Sequence, residues 1–207
     1  MLISRPSNAD AQPCLKKATW HRPWTVVCTA ALCLLASISA SQPRTQLDRP
    51  TEYDVEAAYL FNFGKFVKWP QDAHAPATFN ICVLGDDPFG SALDKITAGE
   101  TIGGKKIADK RITRAQDTVG CSILYISDSE AERVSRILAA VRDAPVLTVS
   151  HLPDFLERGG TIQFVLENGR VRFQVNLVPT QRDGLMLSSE LLKVAVRVIR
   201  GSAEGVQ

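Results

Sequence analysis

Residues 79–90 read FNICVLGDDPFG, an apolar run that meets Gly85, Asp86, Asp87, Pro88 and Gly90. A strand entering a Gly/Asp-rich turn is where α/β proteins hold nucleotides or place catalytic carboxylates. The turn lacks the Lys-Ser/Thr of a phosphate-binding loop and the Gly-x-Gly-x-x-Gly spacing of a dinucleotide fingerprint, and two carboxylates would repel a phosphate. A phosphoacceptor pocket is imitated by Asp86, Asp87, Asp128 after CSILYIS, and Thr148 or Ser150 after the next apolar run. No lysine follows TIQFVLE to complete it. Hydrolytic chemistry fares no better. There is no Gly-x-Ser-x-Gly, and His151 has only Asp154 as a nearby acid and no nucleophile. His151 therefore reads as a helix-capping surface residue, and Asp86 and Asp87 as caps of a helix starting at Pro88. No catalytic residue is assigned, and the expectation is a non-enzyme without cofactor.

Composition sets the frame. The 207 residues are 45% hydrophobic, 22% charged and 7% aromatic, which suits one globular domain with a full core. Lys16, Lys17 and Arg22 precede the apolar stretch TVVCTAALCLLA (25–36) and the small residues SISAS. A basic region, an apolar core of about a dozen residues and a small-residue zone make a cleavable export signal over 1–41, too short for the ~20 residues that span a bilayer. Its removal takes four basic residues and one acidic, changing the net charge from +2 to −1. That argues against nucleic acid held by counterion release. It also removes Cys14, Cys28 and Cys33, leaving Cys82 and Cys121. In an oxidising compartment these two most simply form one disulfide, contributing roughly 3–4 kcal/mol; the alternative is two buried free thiols. With no CxxC and only His74 and His151 outside the signal, no metal-site spacing is present.

The elements that must position these residues follow from periodicity. Residues 42–50 are polar and proline-flanked, a flexible N-terminus. Thr51 with Asp54 makes a capping box that opens a helix running to Pro70, with an aromatic-rich, largely buried surface carrying Tyr59, Leu60, Phe61, Phe63, Phe66 and Trp69. A strand at 79–84, a short helix to about Thr97 and a strand or hairpin around Gly103-Gly104 come next. CSILYI (121–126) and PVLTV (145–149) are continuous apolar runs, hence buried strands, and the helix between them, 129–143, turns Val134, Ile137, Leu138 and Val141 to one face. TIQFVLE and RVRFQVN around Asn168-Gly169 form the clearest hairpin. A last helix over 188–200 carries Glu190, Lys193, Arg197 and Arg200 on one stripe and stops at Gly201. The pattern predicts a single α/β domain over 51–201, a three-layer sandwich with a mixed, Rossmann-like sheet and a C-terminal hairpin plus helix, followed by a tail at 202–207. Arg170, Arg172, Gln181 and Arg182 lie near that hairpin and its exit, a candidate partner face; the plainer reading is a solvated strand edge.

Taken in order, EYDVEAAYLFNFGKFVKWP, FNICVLGDDPFG, GGKKI, CSILYIS, PVLTVS, FLERGGTIQFVLENGRVRFQVN and GLMLSSELLKVA resemble the YfiR-type periplasmic proteins from about Glu52 to Ala195. The resemblance implies a non-enzymatic, exported and typically dimeric regulator. In the best-known kind it represses an inner-membrane diguanylate cyclase by engaging that enzyme's periplasmic domain, and so controls cyclic di-GMP and biofilm formation. A peptidoglycan-binding outer-membrane lipoprotein as sequestering partner, and small aromatic or nucleotide ligands, are implied in the same way. Cys82 and Cys121 match the family's strand-to-strand pair. A second pair near GGTIQF is absent, since Leu156, Ile162 and Gln163 carry no thiol. Asn176 and Gly184-Leu185 also match, in a structural or a binding role. The competing expectation is a periplasmic small-molecule-binding component of a sensor kinase or transport system.

Overall fold

The computed structural model describes residues 50–70 and 76–201. The expected export signal, most of the 42–50 segment, His74 and the 202–207 tail lie outside the described residues. The first helix, α1 (Glu52–Phe66), begins as its sequence dictates. The Thr51 side chain accepts from the Asp54 backbone while the Asp54 carboxylate reaches back to the Thr51 N–H, completing the capping box. It ends earlier than Pro70. Val67 turns extended and Val67–Lys68 form a short strand, β1, against β9 (Met186–Leu187). β-branched Val67 suits a pleated edge, and that pairing overrides the helical pattern.

The remaining strands are β2 (Phe79–Leu84), β3 (Thr101–Ile102), β4 (Lys105–Ile112), β5 (Ile123–Ile126), β6 (Leu147–Ser150), β7 (Ile162–Glu167), β8 (Arg170–Asn176) and β10 (Arg197–Ile199). They form one eight-stranded mixed sheet in the order β10-β8-β7-β6-β5-β2-β4-β3. The run β7-β6-β5-β2-β4 is parallel; β3 and β8 pair antiparallel to β4 and β7, and β10 returns parallel to β8. The helices are α2 (Ser91–Thr97), α3 (Val134–Ala140), α4 (Leu177–Arg182) and α5 (Ser189–Val194).

Both faces of the sheet are covered, so β2, β5 and β6 are buried along their whole length. On one face α1 lays Ala57, Leu60 and Phe63 over Phe79, Ile81, Val83, Ile123, Tyr125 and Phe173. The other face packs Leu84, Leu124 and Ile126 beneath α3 residues Val134, Ile137 and Leu138, with Phe155 and Leu156 alongside. This is the expected three-layer α/β sandwich. Gly64 lets α1 approach closely, because a Cβ there would collide with Ile102 Cδ1 and stand 3.3 Å from the Phe79 ring. Phe63 meets Phe164 and Phe173 at centroid distances of 5.9 and 5.1 Å. Burying a side chain of that size is worth about 1.5–3 kcal/mol. Phe66 is an exception to the expected burial: it is 41% exposed where α1 gives way to β1.

Several expected elements change. The helix of 129–143 contracts to a 3-10 turn at Asp128–Glu130 and α3, whose buried face is nonetheless the expected one. The final helix of 188–200 stops at Val194, and Arg197–Ile199 join the sheet. Alternating Val194, Val196 and Val198 favour a strand once the β8 edge offers free backbone partners. Helix α4 was not expected; Asn176 caps it by accepting from Val178 N–H.

Candidate functional site

The chain leaves β2 toward α2 and β4 on one side, then returns through β5 on the other side of β2. The helix after β2 packs on the α1 face, whereas the helix after β5 packs on the opposite face. The carboxyl ends of β2 and β5 are thus a topological switch point, where open α/β sheets leave a crevice. A cleft of about 200 Å³ lies there, lined by Tyr53, Asp86, Asp87, Pro88, Tyr125, Ser127, Asp128 and Ser129. The two strand-end segments that carry aspartates, 86–87 and 127–129, therefore face one another across it.

Their turns are tightly specified. Gly85 adopts φ +93°, and a Cβ at this position would collide with Ser129 Oγ. That hydroxyl instead accepts from the Asp86 N–H at 2.9 Å and ties the two turns together. Asp87 accepts from the Phe89 N–H at 2.8 Å and from Arg111 Nε at 2.9 Å. The same guanidinium clamps Asp94 of α2. Asp86 and Asp87 do not cap a helix at Pro88. The helix starts at Ser91 after Gly90, which offers no side-chain cap, because the Asp87 turn consumes the intervening residues.

Below the cleft stands a polar constellation drawn from α1 and the exit of β6. Glu56 is fully buried. Its Oε1 lies 3.1 Å from His151 Nδ1, and its Oε2 accepts from the Tyr125 hydroxyl at 3.4 Å. Glu52, one turn earlier, brings Oε1 to 3.9 Å from the same imidazole nitrogen. Tyr53 stacks on the His151 ring with centroids 6.2 Å apart, and its other neighbour, Phe89, meets Tyr125 edge-on at 4.6 Å. Burial pushes the Glu56 carboxyl up to about 7, opposed by the charge and hydrogen bond of His151. Burial and the Glu56 charge hold the Tyr125 hydroxyl well above its ordinary range. His151 is therefore no helix cap. It is the partner of a buried carboxylate from a distant helix. The missed signal was Glu56 itself, a charged residue on an otherwise apolar helix face, four positions after Glu52.

At the amino ends of the same strands the arrangement is closed. Cys121, just before β5, reaches back to Cys82 in the middle of β2 to form a disulfide, with Cα atoms 5.9 Å apart. Asn80 donates to the Gly120 carbonyl at 2.6 Å and Trp69 donates to the Ser122 carbonyl at 3.2 Å. The candidate partner residues are spread out. Arg170 and Arg172 open β8, while Gln181 and Arg182 close α4 beyond its other end, and seven strand residues span about 20 Å. Arg182 is committed to Asp183 at 2.6 Å and Asp143 at 3.4 Å. Asn176 is buried, donates to the Leu156 carbonyl and caps α4, so its contacts are structural.

The arrangement can bind a cationic or hydrogen-bonding group in the cleft, whose lining offers the hydroxyls of Ser127 and Ser129 and the carboxyls of Asp86, Asp87 and Asp128. Two solved structures are similar to this chain at low identity. One is described as a conserved domain protein from Vibrio cholerae O1 biovar El Tor, at 11% identity and TM-score 0.49 over 70% of this chain. The other is described as the ABC domain in complex with L-Trp from Streptococcus pneumonia, at 12% identity and TM-score 0.49 over 72% of this chain. This chain spans 60% of the length of each. The YfiR/HmsC-like family model matches residues 53–196, from α1 to the approach to β10, and that family is regulatory rather than catalytic. The chain belongs to the YfiR/HmsC-like family.

Proposed function

We propose that this protein is an exported, non-enzymatic regulator that restrains an inner-membrane diguanylate cyclase through contact with the cyclase's periplasmic domain. The observation that carries this reading is the family match over 53–196. The export signal read in residues 1–41 and a disulfide between Cys82 and Cys121 suit an oxidising compartment. Work is then done by surfaces: one on the cyclase, one between two copies of the chain, and in some settings one on a peptidoglycan-binding outer-membrane lipoprotein. Control of cyclic di-GMP and of biofilm formation follows from the first of these contacts.

The test is intracellular cyclic di-GMP in a deletion strain, complemented with the full-length chain or with a version lacking residues 2–41. A rise on deletion, reversed only by the full-length chain, supports repression from outside the inner membrane. An unchanged level in cells that normally express the protein overturns it. The switch-point cleft favours a second reading, a small-molecule-binding component that feeds a sensor kinase or transporter. Under that reading a ligand raises the melting temperature of the purified protein while deletion leaves cyclic di-GMP unchanged.

A further inference from the structure

Glu52, Glu56 and His151 each offer one ligand atom, and the three atoms lie within 4.8 Å of one another. Two ligands about 2.1 Å from one ion stand roughly 3.0 Å apart at a right angle and 3.4 Å apart at a tetrahedral angle. The imidazole nitrogen stands 3.1 Å from Glu56 Oε1 and 3.9 Å from Glu52 Oε1, and with every pair within 4.8 Å an adjustment of at most about 1.4 Å closes the set to tetrahedral spacing around a cation. We propose that Glu52, Glu56 and His151 form a three-ligand site for a divalent transition-metal ion of the zinc class.

The surroundings have the features such a site needs. Both glutamates sit one turn apart on α1, a rigid element, so their carboxylates share a face. The position of His151 is fixed by the preceding residue: Ser150 Oγ donates to the Ile126 carbonyl at 2.7 Å and accepts from the Leu152 N–H at 3.1 Å. Glu56 presents Oε1 to the site while the Tyr125 hydroxyl holds Oε2, the kind of outer contact that orients a ligating carboxylate. Tyr53 stacks beside the imidazole, with ring centroids 6.2 Å apart. In its Nε2–H tautomer the ring turns the Nδ1 lone pair to the ion. Two carboxylates and a neutral imidazole balance a charge of +2.

The donor set also selects the metal. An imidazole nitrogen suits zinc, copper, iron or nickel, whereas magnesium and calcium take oxygen ligands and would leave His151 unused. The side chains of Glu52 and His151 are 34% and 33% exposed, so an ion reaches the site from solvent and retains at least one water. Three protein ligands with one open position are the pattern of an exchangeable site rather than a closed structural one. The occupied site would fasten α1 to the end of β6. This inference goes beyond the regulatory reading and stands whether or not a cyclase is the target.

The test uses protein purified from the full-length chain, stripped with a chelator and titrated calorimetrically with zinc chloride, with magnesium chloride as control. The expected result is one tight zinc per chain that His151→Ala, Glu56→Gln and Glu52→Gln each remove or weaken by at least about tenfold, with no competition from magnesium. Cobalt added to the stripped protein should give the visible absorption of a low-coordinate nitrogen–oxygen site, absent in His151→Ala. Zinc binding that is absent, or equal in His151→Ala and the parent, overturns the proposal. Should Glu56→Gln fail to fold, the variants of Glu52 and His151, each about one-third exposed, decide the matter alone. A null result here leaves the cyclic di-GMP experiment untouched, so the two readings fail separately.

Discussion

The two ends of the β2–β5 strand pair are built on opposite terms. At the amino ends, a disulfide joins Cys82 to Cys121, the Asn80 amide holds the Gly120 carbonyl and the Trp69 indole holds the Ser122 carbonyl. Three independent ties there satisfy backbone and side chain alike. At the carboxyl ends the turns carry Asp86, Asp87 and Asp128, and a fully buried glutamate faces a histidine beneath a cleft. The lesson is that one end of the pair is spent on stability, which leaves the other free to hold charge that costs stability. Strained or charged groups persist only where the rest of the structure fixes them.

The largest expected effect breaks the closed end. Cys121→Ser removes the disulfide, and the closed loop is long enough that unfolding free energy falls by about 3–4 kcal/mol in chemical denaturation. Asn80→Ala attacks the same end without touching sulfur. It leaves the Gly120 carbonyl without its side-chain partner, for a loss of about 1–3 kcal/mol in the same assay. If these two substitutions proved harmless, the contrast between the ends would collapse.

Gly85→Ala tests the open end. It forces a Cβ into a positive-φ turn against Ser129 Oγ, at a cost on the order of 1–3 kcal/mol. Ser129→Ala in the same chain should recover part of the loss, since the nearest collision is with that hydroxyl while a second, with Glu130 Cγ at 2.9 Å, remains. A double-mutant cycle measures how much. Equal effects of Gly85→Ala in the presence and absence of Ser129 would show that backbone strain and the Glu130 contact, rather than the hydroxyl, set the cost.

The smallest effect concerns Asp109 on β4, beside β2. Its Oδ2 accepts from Thr97 while its buried Oδ1 has no partner among the described residues, and burial raises its pKa. A carboxyl with a raised native pKa keeps its proton longer folded than unfolded. Stability therefore falls as pH rises from the ordinary aspartate value through the native one, and at neutral pH the penalty is in place. Asp109→Asn should stabilise the protein at pH 7 by no more than about 1 kcal/mol, with the gain disappearing below the ordinary aspartate range. Melting curves of both proteins across pH would reveal a gain that instead grew in acid, contrary to this sign.

Much of the scaffold was legible because its signals are local. The Thr51–Asp54 box, the apolar runs of β2, β5 and β6, and the turns at Gly103-Gly104 and Asn168-Gly169 are each fixed by neighbours within a few residues. The last helix failed because its evidence was divided: Glu190, Lys193 and Arg197 keep helical spacing, while Val194, Val196 and Val198 keep strand spacing. The vacant edge of β8 decided between them. The site was less legible than the fold. Glu56 and His151 are 95 positions apart, and the periodicity of either segment says nothing about the other. Only the strand order carries His151 beneath α1. Asp86, Asp87 and Asp128 were visible as strand-end acids, yet their convergence on one crevice depends on the reversal of strand order at β2.

Strand β10 has a consequence in time. It is three residues long, pairs with β8 alone and stands at the rim of the sheet, so it can detach while every other strand stays in place. It is also synthesised after every other strand of the described sheet, and β8 waits with one edge unsatisfied until it arrives. Backbone amides of residues 197–199 should exchange with deuterium sooner than those of β5 or β6, whose release requires the sheet to come apart. A newly made chain therefore passes through a stage in which β8 is a bare edge open to any passing strand, and closing that interval quickly is what β10 contributes against edge-to-edge association.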